Sequence, residues 1–538
     1  MSWFYSVFSL STCLIFLTIL PQYKAEYYSS VMGLEKLLIM EENFITAVKD
    51  YISNVRKVQE KIVSFLDETE LEHKKMNHSV KNYFEDPINA FSIIKRLVVD
   101  WKHYDEIIAM QNEYLEFNRS FTKYESDFTK PTVKDLQGAA RGLSRLQDMY
   151  QLDTSEVAMG NILGYKYSEE LSAHDCYVMG VGLFNSSEFL PASEWFMQAL
   201  EKLDEVLAEG EIDPMENFPF ISYVDILEYL HVALFYGDNL KLAKYMNQQL
   251  LRFDPDNRIG LANKKLFEKA VIEERRVRTI NNPPKKSELD TLYNQVCRGE
   301  LSQTDAEMRN LRCRYVTNNI PYYFIGPFKM EELNHDPFVA FYHQAIYDSE
   351  IEQIKKAVGN NVIRSRIGSH QLSEKRTSKQ TWLYWDKHKF LNKIYQRLED
   401  ITGLSMATGE AMQVANYGIG GHYAPHYDFA VDPNELFGKN ENRILTALFY
   451  INDVELGGAT AFPFLRLAVP PIKNSLVLWY NEHNSTEVDY RTRHAGCPVL
   501  KGSKWICNEW FRDVGQEFKR SCGLHPVGDK YKHLFYIS

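Results

Sequence analysis

Two hydrophobic periodicities divide the chain, and they restrict its fold more than any other feature. Up to about residue 335 apolar side chains recur at helical spacing, whereas from Asp336 onward short apolar runs are separated by Gly, Pro and Asn. A step of three or four residues places side chains on one face of a helix, and a step of two does so on a strand. The runs Ala411–Tyr417, Ile444–Ile451, Ser475–Tyr480 and Trp505–Phe511 therefore read as strands joined by turns. Many short strands of this kind predict a jelly roll. The expected fold class is multidomain α + β, with all-α regions (coiled-coil-like, then tetratricopeptide-like) followed by a C-terminal double-stranded β-helix. The 538 residues suffice for three or four units at roughly 100–200 residues each.

Within the helical part, Phe44, Val48, Tyr51, Val55, Val58, Ile62 and Phe65 alternate steps of four and three, the seam of a helix packed on another helix. A dimerising coiled coil and a hairpin within one chain both satisfy that seam. Further on, His174–Leu203 and Ile226–Leu251 each read as helix–turn–helix, with turns near Asn185–Ser187 and at Gly237-Asp238-Asn239. Small and large residues alternate along them, as in stacked tetratricopeptide units. Asp254-Pro255 ends a helix, and Asn281-Asn282-Pro283-Pro284-Lys285-Lys286 reads as an exposed linker. The expected division is a signal peptide over 1–25, a helical region over 26–142, a tetratricopeptide-like domain over 143–270, a linker with a two-cysteine segment over 271–335, and a strand-rich domain over 336–538.

The apolar run Val7–Leu20 is shorter than the ~20 residues a membrane span needs, and with Ala25 after Tyr23-Lys24 it reads as a cleavable signal. Asn-x-Ser/Thr acceptors at Asn77, Asn118, Asn185 and Asn484 agree with a secreted route. Removal of Cys13 with the signal leaves Cys176, Cys297, Cys313, Cys497, Cys507 and Cys522, an even number that permits disulfides. A net charge of −11 without a basic cluster argues against nucleic acid as a partner.

The chemistry concentrates in Gly420-Gly421-His422-Tyr423-Ala424-Pro425-His426-Tyr427-Asp428. On a strand His426 and Asp428 point the same way and can share a metal, with His494 as third ligand. Two imidazoles and one carboxylate on one face of an octahedron leave three positions open, which suits non-haem Fe(II). Zinc, which more often sits in a tetrahedron with one open position, is the alternative metal. Lys504 supplies the cation that a dicarboxylate cosubstrate needs at its far end.

These residues resemble the α subunit of animal collagen prolyl 4-hydroxylase. The likeness runs through Gln413–Gly418, Gly420–Phe429, Asn442-Arg443-Ile444, Leu448-Phe449-Tyr450, Gly457–Thr460, Thr492–Ala495, Cys497–Leu500 and Gly515–Phe518. It implies hydroxylation at C4 of peptidyl proline, with 2-oxoglutarate and O2 converted to succinate and CO2, Fe(2+) as cofactor, and L-ascorbate to restore oxidised iron. It also implies an α2β2 tetramer with protein disulfide isomerase as β subunit, in the endoplasmic reticulum lumen. Tyr417 and Thr446 match positions that hydrogen-bond near the cosubstrate, and Trp510 matches a position near the peptide groove. The family's disulfides map to Cys297–Cys313 and Cys497–Cys522, leaving Cys507 as a buried free thiol.

The peptide groove departs from the family pattern. A run rich in aromatic residues there reads Glu188-Phe189-Leu190-Pro191-Ala192 here, and a tyrosine pair reads Tyr229 and Val232. Phe189 and Tyr229 remain as candidate contacts for a polyproline II peptide, and substrate preference is expected to differ from that of the usual collagen enzyme. Competing readings are hydroxylation of a non-collagen peptide or of another side chain, such as lysine, and a non-catalytic peptide-binding assembly protein.

Overall fold

The computed structural model describes residues 31–52, 59–76, 83–102, 131–208, 221–277, 288–359, 361–365, 373–431, 441–521 and 523. The apolar run at 7–20, the linker at 281–286, and Asn77, Asn118 and Cys522 fall outside them. No helix among the described residues is long and apolar enough to cross a membrane.

Helices α1 (Val31–Ile52) and α2 (Gln59–Met76) occupy the region of the heptad seam. They lie together within one chain: His73 of α2 reaches Glu41 of α1 at 2.9 Å, and Lys49 pairs with Glu70. Phe44, Val48, Ile62 and Phe65 are buried between them and α3 (Pro87–Lys95). The described part of the seam thus packs within one chain; Val55, Val58 and the side chain of Tyr51 lie outside the described residues. Glu41 is fully buried; burial alone would raise its pKa, but Arg96 and His73 bring it down to about 2, so it stays ionised in a helical core.

After α4 (Val133–Tyr150) and the short α5 (Thr154–Ala158), a two-stranded hairpin, β1 (Asn161–Ile162) and β2 (Tyr165–Lys166), leads into the repeats. The first pair is α6 (Ala173–Asn185) and α7 (Phe189–Ala208), and the second is α8 (Tyr223–Tyr236) and α9 (Leu240–Phe253). Both pairs open on a reciprocal cap, Ser172 with Asp175 and Ser222 with Asp225, which satisfies backbone donors at the helix start. Their turns place Ser187 and Asp238 at φ 61° and 65°, at the turns read from sequence. Inside the first pair a Cβ on Gly180 would meet the Phe196 ring at 2.6 Å, so only glycine permits that approach. Helix α10 (Arg258–Val277) continues the stack, and α11 (Glu288–Cys297) and α12 (Asp305–Met308) lead into the sheets.

The C-terminal part is a two-sheet jelly roll. Its large sheet has the order β3-β4-β5-β14-β10-β17-β8-β7-β6: Cys313–Val316, Phe328–His335, Phe338–His343, Ser475–Tyr480, Arg443–Tyr450, Lys504–Arg512, Met412–Tyr417, Lys379–Leu383 and Ile363–Arg364. The small sheet has the order β13-β12-β15-β9: Leu467–Val469, Thr460–Phe462, His494–Gly496 and Tyr423–His426. A ladder of β11 (Leu456–Gly457) and β16 (Val499–Lys501) flanks them. Helices α13 (Asp348–Val358) and α14 (Leu391–Thr402) cover the outer face of the large sheet, and an apolar layer including Phe341, Tyr450, Phe462 and Trp479 fills the space between the sheets.

The cysteine pairing inferred from resemblance is corrected. Cys297 is bonded to Cys497, with Cα atoms 5.7 Å apart. The end of α11 packs against the strand that carries His494, in a buried cluster with Met149, Tyr293 and Val296, and this brings the two sulfurs together. Cys313 is a free thiol on the exposed edge strand β3, while Cys176 and Cys507 are free and buried.

Candidate active site

The metal-binding side chains come from the small sheet. In β9 and β15, His426 and His494 are direct register partners, so both imidazoles project into the space between the sheets. Asp428 lies just past the end of β9. One ligand atom from each of the three residues falls within 4.8 Å of the others. His426 Nε2 is 3.5 Å from Asp428 Oδ1, and His494 Nε2 is 3.6 Å from Oδ2.

Backbone carbonyls fix the tautomers. His426 Nδ1–H donates to the Ala424 carbonyl at 2.9 Å, and His494 Nδ1–H donates to that of Thr492 at 3.1 Å. Each Nε2 is left with its lone pair facing inward, which is the usual outer support of a metal-bound histidine. Burial lowers the pKa of His494 to about 4 against the raising effect of Asp428, so it is neutral and able to ligate at pH 7. Burial acts to raise the Asp428 carboxyl, but His494, His426 and Arg443 together hold it well below the usual carboxylate range.

Asp428 is also oriented from behind. Its Oδ2 accepts hydrogen bonds from Thr446 Oγ1 at 2.8 Å and Trp510 Nε1 at 3.0 Å. Thr446 and Trp510 are register partners on β10 and β17, and Asn481 Nδ2 donates to Thr446 at 2.9 Å. With Oδ2 taken by two donors, Oδ1 is the oxygen available to a metal. Two imidazoles and one monodentate carboxylate fit Fe(II) and leave positions open for a chelating cosubstrate and O2.

Two sequence assignments shift accordingly. Thr446 is fully buried, and its hydroxyl is engaged by Asp428 and Asn481. It orients the Asp428 carboxylate, and the threonine that lines the cavity beside Lys504 is Thr460. Trp510 does line the cavity, but its N–H is committed to Asp428, and Arg443 stacks on its ring at 4.0 Å.

The cavity measures about 590 Å³, within the usual range for small-molecule sites. Lys504 closes its far end. It opens β17 opposite Tyr417 of β8, is 3% exposed, and has Thr460 Oγ1 at 3.4 Å as its polar contact. The Tyr417 and Tyr450 rings lie 5.8 and 5.5 Å from Nζ. No carboxylate lies within ion-pairing distance of Lys504 among the described residues, and burial pulls its pKa down to about 7. A buried cation without a counter-charge is costly unless an anion arrives with the ligand. The sequence reading missed Tyr423 and Arg376: Tyr423 stacks on His426 with centroids 3.5 Å apart, and Arg376 lies over Tyr423 at 4.7 Å. Tyr423 stands three residues before His426 in the quoted motif, which is the signal that marks it.

In the repeat domain, Phe189 and Tyr229 belong to one aromatic row. Tyr229 meets Tyr177 at 6.0 Å, Phe184 at 5.2 Å and Phe196 at 5.7 Å, while Phe189 meets Phe184 at 5.4 Å and stacks on Tyr236 at 4.8 Å. The row is visible in sequence as three pairs seven residues apart, Tyr177/Phe184, Phe189/Phe196 and Tyr229/Tyr236, since two helical turns return a side chain to the same face.

Comparison with known proteins shows the family. Residues 30–164 match the prolyl 4-hydroxylase alpha-subunit N-terminal region, 173–273 the prolyl 4-hydroxylase peptide-substrate-binding domain, and 412–512 the 2OG-Fe(II) oxygenase superfamily. The chain is 35% identical to prolyl 4-hydroxylase subunit alpha-2 of Gallus gallus, covering 96% of this chain and 99% of that protein. It is 35% identical to subunit alpha-2 of Caenorhabditis elegans (93% and 94% covered) and 34% identical to subunit alpha-1 of Homo sapiens (95% and 98% covered). A solved viral collagen prolyl hydroxylase from Paramecium Bursaria Chlorella virus-1 is 27% identical, with 33% of this chain and 96% of that chain covered and a TM-score of 0.28. With relatives at this identity along nearly its whole length, the chain belongs to the prolyl 4-hydroxylase alpha-subunit family of Fe(II)- and 2-oxoglutarate-dependent dioxygenases.

Proposed function

We propose that the chain is the catalytic α subunit of a procollagen-type proline 4-dioxygenase, acting on a proline-containing peptide in the endoplasmic reticulum lumen with protein disulfide isomerase as β subunit of an α2β2 tetramer. In this reading residues 1–25 are a signal peptide and 26–142 assemble the dimer. Residues 143–270 hold the peptide, 271–335 link the parts, and 336–538 carry the chemistry. The observation that carries the activity is the convergence of His426, Asp428 and His494 on one point, in the same cavity as the uncompensated Lys504.

Bound Fe(II), with 2-oxoglutarate and O2, supplies the oxidation that replaces a C–H by C–OH while the 2-oxo acid becomes succinate and CO2. The chain's own part is positioning. His426, His494 and Asp428 Oδ1 would hold the ion, with Thr446 and Trp510 keeping Oδ2 turned away. Lys504 would take the distal carboxylate of 2-oxoglutarate, beside Thr460 and Tyr417. Tyr423, braced between Arg376 and His426, forms the aromatic wall nearest the metal site. Phe189 and Tyr229 contribute to peptide docking through the row they share with Tyr177, Phe184 and Tyr236. L-ascorbate would act as reductant for iron oxidised without product.

The test is co-expression with protein disulfide isomerase and turnover of Pro-Pro-Gly repeat peptides, following succinate and the position of added oxygen by mass spectrometry. Hydroxyl on C4 of proline is the expected product. Hydroxyl on another residue, or succinate release indifferent to peptide, would refute the assignment.

A further inference from the structure

Between α4 and the start of α7 on one side, and segment 373–375 with His422 and Ala424 on the other, lies a cleft of about 700 Å³ that the reaction described above does not use. Its two ends abut the two sites already described, without sharing a lining residue with either. At one end Glu188 and Leu190 line it, and the residue between them, Phe189, is the ring that ends the aromatic row against Tyr236. Leu190 is 58% exposed, an apolar surface with no cover beside Pro191. At the other end a single stretch of backbone separates the cleft from the iron cavity. Lys375 lines the cleft and Arg376 the cavity, while Ala424 N–H donates to the Lys375 carbonyl at 2.7 Å and Thr377 N–H to that of His422 at 2.9 Å.

The walls are held at a fixed separation. Arg145 Nη1 donates to the Gly420 carbonyl at 2.9 Å, and Tyr150 Oη donates to that of Pro498 at 2.6 Å. A Cβ on Gly420, which has φ +63°, would come within 2.6 Å of the Gly142 carbonyl oxygen, so α4 lies directly on the loop before β9. Arg141 spans the opening, bonded to Glu188 at 2.9 Å and facing Glu374 at 3.6 Å. Arg141, Arg145 and Lys375 stand against Asp148, Glu188, Glu194 and Glu374 in the lining, so the charges nearly balance, which favours an uncharged guest.

We propose that this cleft is a bridging subsite for the peptide substrate, seating the stretch of an uncharged proline-rich chain that runs from the aromatic row to the residue entering the iron cavity. The proposal rests on the peptide-hydroxylase reading. A polyproline II chain has no internal hydrogen bonds and presents backbone carbonyls about every 3.1 Å, so it suits a cleft with an apolar sill at Leu190–Pro191 and a cationic donor at Lys375. The fixed walls would set the spacing between the docked segment and the hydroxylated residue.

The test uses the full chain assembled with its β subunit and two Pro-Pro-Gly peptides, one long enough to reach the aromatic row and one too short to leave the iron cavity. Glu194→Trp and Glu374→Trp fill the cleft from opposite walls at exposed positions. The expected result is a rise of about tenfold in KM for the long peptide, kcat and the 2-oxoglutarate KM holding steady, with a change under about twofold for the short one. Such a rise corresponds to ~1.4 kcal/mol of lost binding. The position of hydroxyl along the long peptide should also spread. Equal changes for both peptides, or none for either, would overturn the bridging role. A wild-type chain that hydroxylates neither peptide would instead overturn the hydroxylase reading beneath it.

Discussion

Replacing Lys504 by methionine should stabilise the cosubstrate-free protein while crippling its use of 2-oxoglutarate. The ammonium sits in the wall of the cavity, 3% exposed, with a threonine hydroxyl 3.4 Å away and burial lowering its pKa from 10.5 to about 7. At 1.36 kcal/mol per pH unit, that fall measures a cost on the order of 5 kcal/mol for keeping the charge in the empty site. Methionine keeps the length and apolar contacts of the stem and removes the cost. If 3 kcal/mol of it is recovered, the melting temperature of a domain of this size rises by roughly 6–12 °C. The sign follows from proton counting. The unfolded lysine holds its proton up to about 10.5, whereas the folded one releases it above about 7, so the wild type is penalised in full below pH 7 and the penalty fades as pH rises toward 10.5. The stability gap between variant and wild type should therefore be widest at or below pH 7 and close above it. Deleting one partner of a buried ion pair costs about 3–5 kcal/mol, so the 2-oxoglutarate KM should rise at least about a hundredfold. Calorimetry of the metal- and cosubstrate-free protein across pH, with succinate assays on both proteins, measures the two effects. A less stable variant, or an unchanged 2-oxoglutarate KM, would refute the role given to Lys504.

Other expectations follow from the same geometry. His426→Ala and His494→Ala should each abolish Fe(II)-dependent turnover, as should chelation of the wild type, with only the wild type recovering on addition of Fe(II); activity in either variant refutes the ligand set. Thr446→Val removes one of two donors to Asp428 Oδ2 and should weaken Fe(II) affinity by about 10–100-fold with little change in the 2-oxoglutarate KM, as read by metal titration. For the wild type, the 2-oxoglutarate KM should climb up to about tenfold per pH unit above pH 7, because the diacid needs the protonated lysine, and stay flat just below it. Mass spectrometry of secretory-pathway material should find glycan at Asn185, exposed at the α6–α7 turn, and none at Asn484, which is 8% exposed with its side-chain oxygen held by Arg520.

The catalytic centre was more legible in the sequence than the surfaces around it, for a physical reason. His426 ends β9 with Asp428 two residues on, and Lys504 opens another strand, so local spacing announces them once the strands are recognised. Repeat boundaries were legible for a similar reason, because Ser187 and Asp238 occupy left-handed turns flanked by capped helices. The exact task of Thr446 was not legible. Whether a strand threonine faces cosubstrate or carboxylate depends on what lies across the sheet, and here Trp510 and Asn481 lock it to Asp428. Cys297 met Cys497 rather than Cys313 because α11 folds back onto the His494 strand, a long-range placement that no local spacing encodes.

That same fold-back bears on how substrate choice can change without touching the chemistry. The iron cavity is built within the jelly roll, whereas the aromatic row is carried by helices held to it through α4 at Gly420 and Pro498 and through the Cys297–Cys497 bridge. Substitutions on the outer faces of α6, α7 and α8 can therefore alter which peptide docks while His426, Asp428, His494 and Lys504 keep their mutual distances. Phe189→Ala separates the two levels. Its ring contacts Phe184 and Tyr236 but lines neither the iron cavity nor the wall at Lys375–Arg376. Loss of such an aromatic pair costs about 0.5–1.5 kcal/mol beyond its buried area. The long-peptide KM should rise several-fold with kcat and the 2-oxoglutarate KM unchanged, measured by succinate release. A fall in kcat of the same size would mean that the repeat domain shapes the catalytic step itself, and the separation of docking from chemistry would have to be given up.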